Sequence, residues 1–182
     1  CPKEYCSFVR YCFEGIYMTI LIPAWNNGTL EPVEKLEVHK RGLKHKAVSI
    51  FVFCDGKLLI QQRAPNKYHS PRLWANSCCS HPNWGESTEV CSHRRIFEEL
   101  GLKNLGLRFI DQIEYKARVS NELIEHEQVD CFYAICQTIP EVKMNPEEVM
   151  NFAWVDIEKL KENNISVFLI GESLMNGDFF ET

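Results

Sequence analysis

The sequence has no Cys-x-x-Cys pair, although it holds nine cysteines. An odd count with Cys78 and Cys79 adjacent does not form a disulfide framework or a zinc knuckle, so reduced thiols are expected. There is no basic excess either: 20 Lys and Arg stand against 25 Asp and Glu, a formal net charge of −5. Nucleic-acid binders show a basic excess or patch, so no nucleic-acid partner is expected. A small anionic ligand needs only a local positive site. No apolar run is long enough to span a bilayer, so no membrane partner is expected and a cytoplasmic protein is. Repeats and low-complexity linkers are absent. Tryptophan is scarce, at four, and none follows Trp154. What remains, 45% hydrophobic and 25% charged over 182 residues, is ordinary for a globular chain that can bury a core. The sequence says nothing of oligomeric state.

In residues 1–18, Cys1, Cys6 and Cys12 sit among Tyr5, Phe8, Tyr11 and Phe13, and Arg10 and Glu14 interrupt the apolar character. The irregular cysteine spacing argues against a metal site. The expectation is an extension over 1–18 ahead of one domain over 19–182. Thr19 to Pro23 reads as a first strand, and Asn26-Asn27-Gly28 as a turn. Glu34 to Gly42 is a polar segment. Ala47 to Cys54, a hairpin signal at Asp55-Gly56, and Lys57 to Arg63 read as paired strands. Ala64 to Arg72 is a loop. Leu105 to Val119 and Ile124 to Gln137 form a long hairpin across Ser120-Asn121. Asn151 to Asp156 is a strand, with helices over 157–163 and 167–175. Strands mixed around a helix predict an α/β fold.

The chain is organised around Trp74-Ala75-Asn76-Ser77-Cys78-Cys79-Ser80-His81-Pro82, Gly85-Glu86, and Arg94-Arg95-Ile96-Phe97-Glu98-Glu99-Leu100-Gly101. It reads as a short strand, a turn and a helix. Ser87 can cap the helix start, because its hydroxyl accepts an orphan backbone N–H; Gly101 can end it in the left-handed conformation. Val90, Phe97 and Leu100 are expected to pack on the core, leaving Glu86, Arg95 and Glu99 to face a cavity. In an extended 77–81, Cys79 and His81 point to one side and Cys78 to the other. By the same alternation Glu125 and Glu127 share a face and His126 takes the opposite one. The base rate favours an exposed polar edge for such a pair. His39 and His45 precede the first core strand. Together with His81, Glu125 and Glu127 they would offer nitrogens and carboxylate oxygens suited to Mn²⁺, Zn²⁺ or Mg²⁺.

Glu86, Arg94, Ile96, Glu98, Glu99, Gly101 and Leu102 fall in register with the Nudix box, G-x5-E-x7-R-E-U-x-E-E-x-G-U, where U is apolar. Ser80 replaces the first Gly, and Arg95 the Glu of R-E. A Nudix hydrolase gathers helix carboxylates around magnesium; arginine removes a ligand and adds an anion-pairing fork. With Asn76 to Pro82, these departures resemble type 1 isopentenyl diphosphate isomerase, over roughly residues 19–160. The resemblance implies a Nudix-type α/β/α sandwich with a central mixed sheet. It implies interconversion of isopentenyl and dimethylallyl diphosphate, a small-molecule diphosphate being the partner. It implies Cys79 and Glu127 as the opposed proton-transfer pair, with Tyr115 beside Glu127 passing the proton. It further implies Lys35, Arg63, Lys67 and Arg95 as diphosphate contacts, and His39, His45, His81, Glu125 and Glu127 as ligands of one divalent metal. Glu99 would be the ligand of a separate Mg²⁺. On the residues alone, Glu99 paired with Arg95 at i,i+4 explains the helix equally well.

An alkene is a weak base, so its protonation leads toward a tertiary carbocation. Such a site needs an acid, a base, little water and an electron-rich neighbour. The thiolate is the basic form of cysteine, which titrates near ~8.5 when free. The isomerases carry a late tryptophan for the cation; here Trp154 reads as core, and only Phe168, Phe179 and Phe180 follow it. Two rival readings stay open: a Nudix hydrolase of a nucleoside or prenyl diphosphate, and a metal-binding remnant without activity.

Overall fold

The computed structural model describes residues 19–67 and 70–157. The expected extension over 1–18 and the helix over 167–175 lie outside them, as does the helix over 157–163 except for Ile157. Among the described residues no helix is long and apolar enough to cross a membrane.

Nine strands and two helices are described. β1 (Leu21–Asn26) and β2 (Thr29–Glu34) pair across Asn27-Gly28, as the turn signal predicts. The segment after them is a helix, α1 (Lys35–Arg41), where the sequence suggested only a polar stretch. Its signal was present: the Glu34 carboxylate accepts from the backbone of Leu36 and Glu37, and Gly42 ends the helix in the left-handed region. β3 (His45–Cys54) and β4 (Lys57–Arg63) form the expected hairpin, and β9 (Val149–Asp156) lies along the far side of β4. The long hairpin is β7 (Arg108–Arg118) with β8 (Ile124–Cys136), and β8 runs parallel to β3. One parallel pairing among antiparallel ones makes the sheet mixed.

The site owes its position to a split in this sheet. β3 and β4 pair only at Phe53–Leu58 and Cys54–Lys57 and then diverge. The opening takes up β5 (Trp74–Ala75), which pairs with β4, and β6 (Cys78–Ser80), which pairs with β3. Ser77, fully buried between them, ties both sides together: its hydroxyl accepts from Val52 N–H at 2.8 Å and donates to Leu59 C=O at 2.7 Å. These backbone groups lose their strand partners where the sheet parts, and a buried N–H or C=O without a partner is costly.

α2 (Thr88–Leu100) covers one face. Ser87 caps it through Val90 N–H, and Gly101 ends it at φ 70°, both as expected. A Cβ at Gly101 would stand 2.8 Å from Lys143 Cβ, so close packing as well as conformation demands glycine there. The expected apolar face holds at Leu100 and fails at the other two positions. Val90 and Phe97 are exposed, while Cys91, Ser92, Ile96, Glu99 and Leu100 are buried. Ile96 and Leu100 pack on Ile50, Val52, Leu59 and Cys78. The opposite face of the sheet carries Ala47, Phe51, Leu58, Ile60, Val129 and Cys131, with Trp74 and Tyr115 against them.

Candidate active site

Three imidazoles reach one point from three elements. α1 supplies His39, the first residue of β3 is His45, and His81 follows β6. Glu127 of β8 joins them because the parallel register sets it opposite His45. One ligand atom from each of the four lies within 4.8 Å of every other. Backbone carbonyls fix two of the rings: His39 Nδ1 donates to Lys35 C=O at 2.7 Å, and His45 Nδ1 to Leu43 C=O at 2.8 Å. A neutral ring that donates through Nδ1 keeps a lone pair on Nε2. His45 Nε2 is 3.2 Å from His81 Nε2, which is 3.0 Å from Glu127 Oε1. His45 Nε2 is 3.5 Å from the same oxygen. Ligand atoms bound ~2.1 Å from one ion stand roughly 3.0–3.4 Å apart, so the donor set fits a divalent cation. His81 Nδ1 is buried with no hydrogen bond, leaving it able to carry the ring proton when Nε2 gives up its own. Burial pushes His39 down to about 4 and His81 well below its ordinary range. Both rings are therefore neutral at neutral pH, the state a metal ligand needs.

Glu125 stands outside that group of four. Its neighbour is Tyr115, which the β7–β8 register sets across from Glu127. The Tyr115 hydroxyl lies 2.8 Å from Glu127 Oε2 and 3.0 Å from Glu125 Oε2. One O–H cannot donate to both, so the second contact needs a proton on a carboxyl group. Burial, then the charge of Glu127, raises Glu125 to about 7, so Glu125 carries that proton. Burial opposes charge on Glu127 as well, but its contacts with His45 and His81 hold it well below the carboxylate range. His126, as expected, faces away and bonds Glu114.

Cys79 lines the cavity, and Cys78 is fully buried in the core beneath α2. Burial pushes the Cys79 thiol up to about 12. It donates to Asn76 Oδ1 at 2.6 Å, and Ser49 Oγ is 3.7 Å away. Asn76 is itself fixed, its amide donating to Ser49 Oγ at 2.9 Å and Ile50 C=O at 2.8 Å. The sequence drew attention to the thiol and left Asn76 without a role. Its place three residues before Cys79, at the turn between two short strands, was the available signal.

All four expected cations, Lys35, Arg63, Lys67 and Arg95, line one cavity of ≈ 290 Å³ together with Cys79, His81, Tyr115, Glu125, Glu127 and Glu99. Ile20, Ile22, Val48, Leu73, Trp74 and Val129 supply its apolar wall. Burial, then Arg95 and Lys67, lowers Lys35 to about 8. Glu99 accepts from Arg95 at 2.6 Å and from Gln61 at 2.8 Å. Glu86 and Glu98 are likewise bonded to Arg94, and Glu98 to Arg95 as well.

A NUDIX domain model matches residues 43–169. The isopentenyl-diphosphate Delta-isomerase of Jannaschia sp. (strain CCS1) is 54% identical over 145 residues, 80% of this chain and 82% of that protein. The Rhodobacter capsulatus enzyme of the same name is 51% identical over 141 residues, 78% of this chain and 80% of its own. The chain belongs to the isopentenyl-diphosphate Delta-isomerase family. Solved structures bear on the fold alone: a Deinococcus radiodurans protein at TM-score 0.61 and 16% identity, covering 77% of this chain and 85% of its own, and a MutT protein from Methanosarcina mazei Go1 at 0.58 and 17%, covering 73% and 88%.

For a Delta-isomerase on a Nudix scaffold, the ion pairs on α2 have a direct reading. Each box carboxylate, Glu86, Glu98 and Glu99, has an arginine partner. Hydrolysis draws on such carboxylates to gather metal, whereas here arginines pair all three, and of the three only Glu99 lines the cavity. Glu148, which lines the cavity beside Lys67 and Arg95, was missed from sequence because it lies outside the motif, and Trp74, which opens the motif, was given no role.

Proposed function

We propose that this cavity converts isopentenyl diphosphate and dimethylallyl diphosphate into each other by proton transfer between Cys79 and the Glu127–Tyr115–Glu125 group. One observation carries the reading: a thiol and a tyrosine-bridged carboxylate pair line the same cavity as four cations and an apolar wall. Lys35, Arg63, Lys67 and Arg95 bind the diphosphate, arginine by its two-pronged fork. The apolar wall takes the five-carbon chain and excludes water.

The transposition adds one proton at one end of the allylic unit and removes one at the other. One of the two groups must therefore start protonated and the other not. After turnover the pair stands in the reverse state, which is the starting state for the opposite direction. Burial keeps the proton on Cys79 and the contacts with His45 and His81 keep Glu127 ionised, so the ligand-free molecule stands in one of these two states. Tyr115 connects Glu127 to Glu125, whose proton is labile near neutrality, and gives Glu127 a route for exchange. Asn76 orients the Cys79 S–H bond.

His39, His45, His81 and Glu127, with Glu125 adjacent, hold a divalent metal, Mn²⁺, Zn²⁺ or Mg²⁺. When bound, that ion supplies positive charge that keeps Glu127 ionised and fixed. Glu99, which Arg95 and Gln61 hold in the ligand-free molecule, would serve a Mg²⁺ accompanying the diphosphate only once Arg95 has turned to the substrate. A cytoplasmic setting fits the six free cysteines among the described residues.

The purified protein with Mg²⁺ and isopentenyl diphosphate is expected to yield dimethylallyl diphosphate and no free phosphate. Released phosphate would support a hydrolase, and no turnover with full metal content a binding remnant; either overturns the proposal.

A further inference from the structure

Four cations line one small cavity, and after burial the charges of Arg95 and Lys67 lower Lys35 to about 8. Something must hold them at a common spacing before a diphosphate arrives. Glu99 holds Arg95. Among the described residues a second carboxylate beside Arg95 is Glu148, which no sequence motif singled out. Its Oε2 lies 2.5 Å from Lys67 Nζ and 3.4 Å from Arg95 Nη2. It thus spans a loop lysine and a helix arginine.

The backbone around Glu148 is anchored on both sides of the pocket. Its carbonyl accepts from Ala64 N–H at 2.9 Å, directly after Arg63 at the end of β4. Its own N–H donates to Asn145 C=O at 3.0 Å, and Asn145 N–H donates to Glu99 C=O at 2.9 Å near the end of α2. Lys143 N–H donates to Leu100 C=O at 2.8 Å. The turn before β9 is therefore fastened to α2 beside Glu99 and to β4 beside Arg63. A carboxylate mounted there has a fixed position relative to three of the four cations.

We infer that Glu148 is a positioning residue of the diphosphate clamp: it holds Lys67 and Arg95 at the spacing the diphosphate takes over. The inference rests on the reading of Lys67 and Arg95 as diphosphate contacts. It gives Glu148 no contact with the reacting carbons, so it acts on binding and not on the chemical step. Without its charge, Lys67 and Arg95 separate, and ordering them is left to the substrate, which weakens binding.

The test uses the metal-loaded enzyme and two readouts: steady-state kinetics with isopentenyl diphosphate, and competitive inhibition by inorganic pyrophosphate, which has no carbon chain. Glu148→Gln keeps size and one oxygen but loses the charge. The KM and the pyrophosphate inhibition constant are expected to rise together, about tenfold, with kcat changed less than about threefold. Glu148→Asp, which keeps the charge at shorter reach, should recover part of the loss; it carries the test alone if the glutamine variant does not fold. In a Lys67→Met background, Glu148→Gln should have less effect, because the nearer of the two residues it positions is gone. Unchanged constants, tighter pyrophosphate binding, or a fall in kcat at constant KM would each overturn the inference. A full additive loss in the Lys67→Met background would do so too. If Lys67→Met and Arg95→Ala leave both constants unaltered, the clamp reading itself fails; if they raise them and Glu148→Gln does not, only this inference fails.

Discussion

Replacing Arg95 with alanine should do two separable things. The first is to stability. Arg95 bonds Glu99 at 2.6 Å and Glu98 at 2.7 Å, and the Glu99 side chain is only 5% exposed. Removing one partner of a buried ion pair costs about 3–5 kcal/mol, because the remaining charge is left buried. Gln61 still donates to Glu99 at 2.8 Å and Arg95 is itself partly exposed, so the expected cost falls at or below the bottom of that range, ~2–3 kcal/mol. For a chain of this size each kcal/mol moves Tm by roughly 2–4 °C, which gives a fall of roughly 4–12 °C. The second effect is on binding. A hydrogen bond to a charged group contributes roughly 1.5–3 kcal/mol, so KM should rise by about one to two powers of ten. The double variant Arg95→Ala, Glu99→Gln separates them. A neutral glutamine does not need the arginine, so Tm should largely recover while KM stays high. Arg95→Glu, with a carboxylate beside Glu98, Glu99 and Glu148, should be worse in both respects. A Tm within about 1 °C of the parent and an unchanged KM for Arg95→Ala would refute the reasoning and leave Arg95 as a solvated surface residue.

Further outcomes follow from the site. Cys79→Ala and Glu127→Gln should each lower kcat by ~10²–10⁴-fold without unfolding the protein, and Cys78→Ala should be far milder for turnover; equal losses at the two cysteines would refute the choice of thiol. Asn76→Ala should lower Tm by removing a buried amide that bonds Ser49, Ile50 and Cys79, and should slow turnover even well below the melting point, whereas normal kcat there would make Asn76 purely structural. Lys35 loses its proton as pH rises through about 8, so KM should climb above that pH in the parent and not in Lys35→Met. Burial holds His39 neutral down to about 4, whereas a free imidazole protonates near ~6.5. Metal should therefore be retained as pH falls through ~6 and be lost nearer the lower value; release centred at ~6.5, by elemental analysis of dialysed protein, would contradict a preformed dry site.

Local chemistry was legible in the residues themselves, and chemistry between distant residues only where the family resemblance joined them. Ser87 and Gly101 were readable as caps because a cap needs only its own turn of helix. Glu125 and Glu127 were readable as a pair because strand alternation is strict. The buried face of α2 was misread because three of its buried positions, Ser92, Glu99 and Leu100, mix polar with apolar. A polar residue buried by a partner from another strand carries no local sign; Glu99 is buried by Gln61, 38 positions away. Glu148 was missed for the same reason, since Lys67 lies 81 positions from it.

That limit bears on how this scaffold comes to serve proton transfer. The sequence presented the exchange of a box glutamate for Arg95 as the loss of one metal ligand. In the folded molecule its consequence reaches further. Arg95 bonds Glu98 and Glu99 and approaches Glu148, and Arg94 takes Glu86 and a share of Glu98. A divalent ion at the helix must compete with a guanidinium for each of these carboxylates. The metal-binding potential moves instead to the group formed by His39, His45, His81 and Glu127, where burial lowers His39 and His81 and so keeps both rings neutral and available. On the proposed assignment, metal held at Glu127 and guanidinium at the helix, where hydrolysis would gather its ions, would favour moving a proton within the hydrocarbon over cleaving the diphosphate. Arg95→Glu reverses only the second of these, so it should admit metal to the helix without supplying the rest of a hydrolytic site. Trace phosphate release with isomerisation strongly reduced is the expected result, and undiminished isomerisation by that variant would contradict the argument.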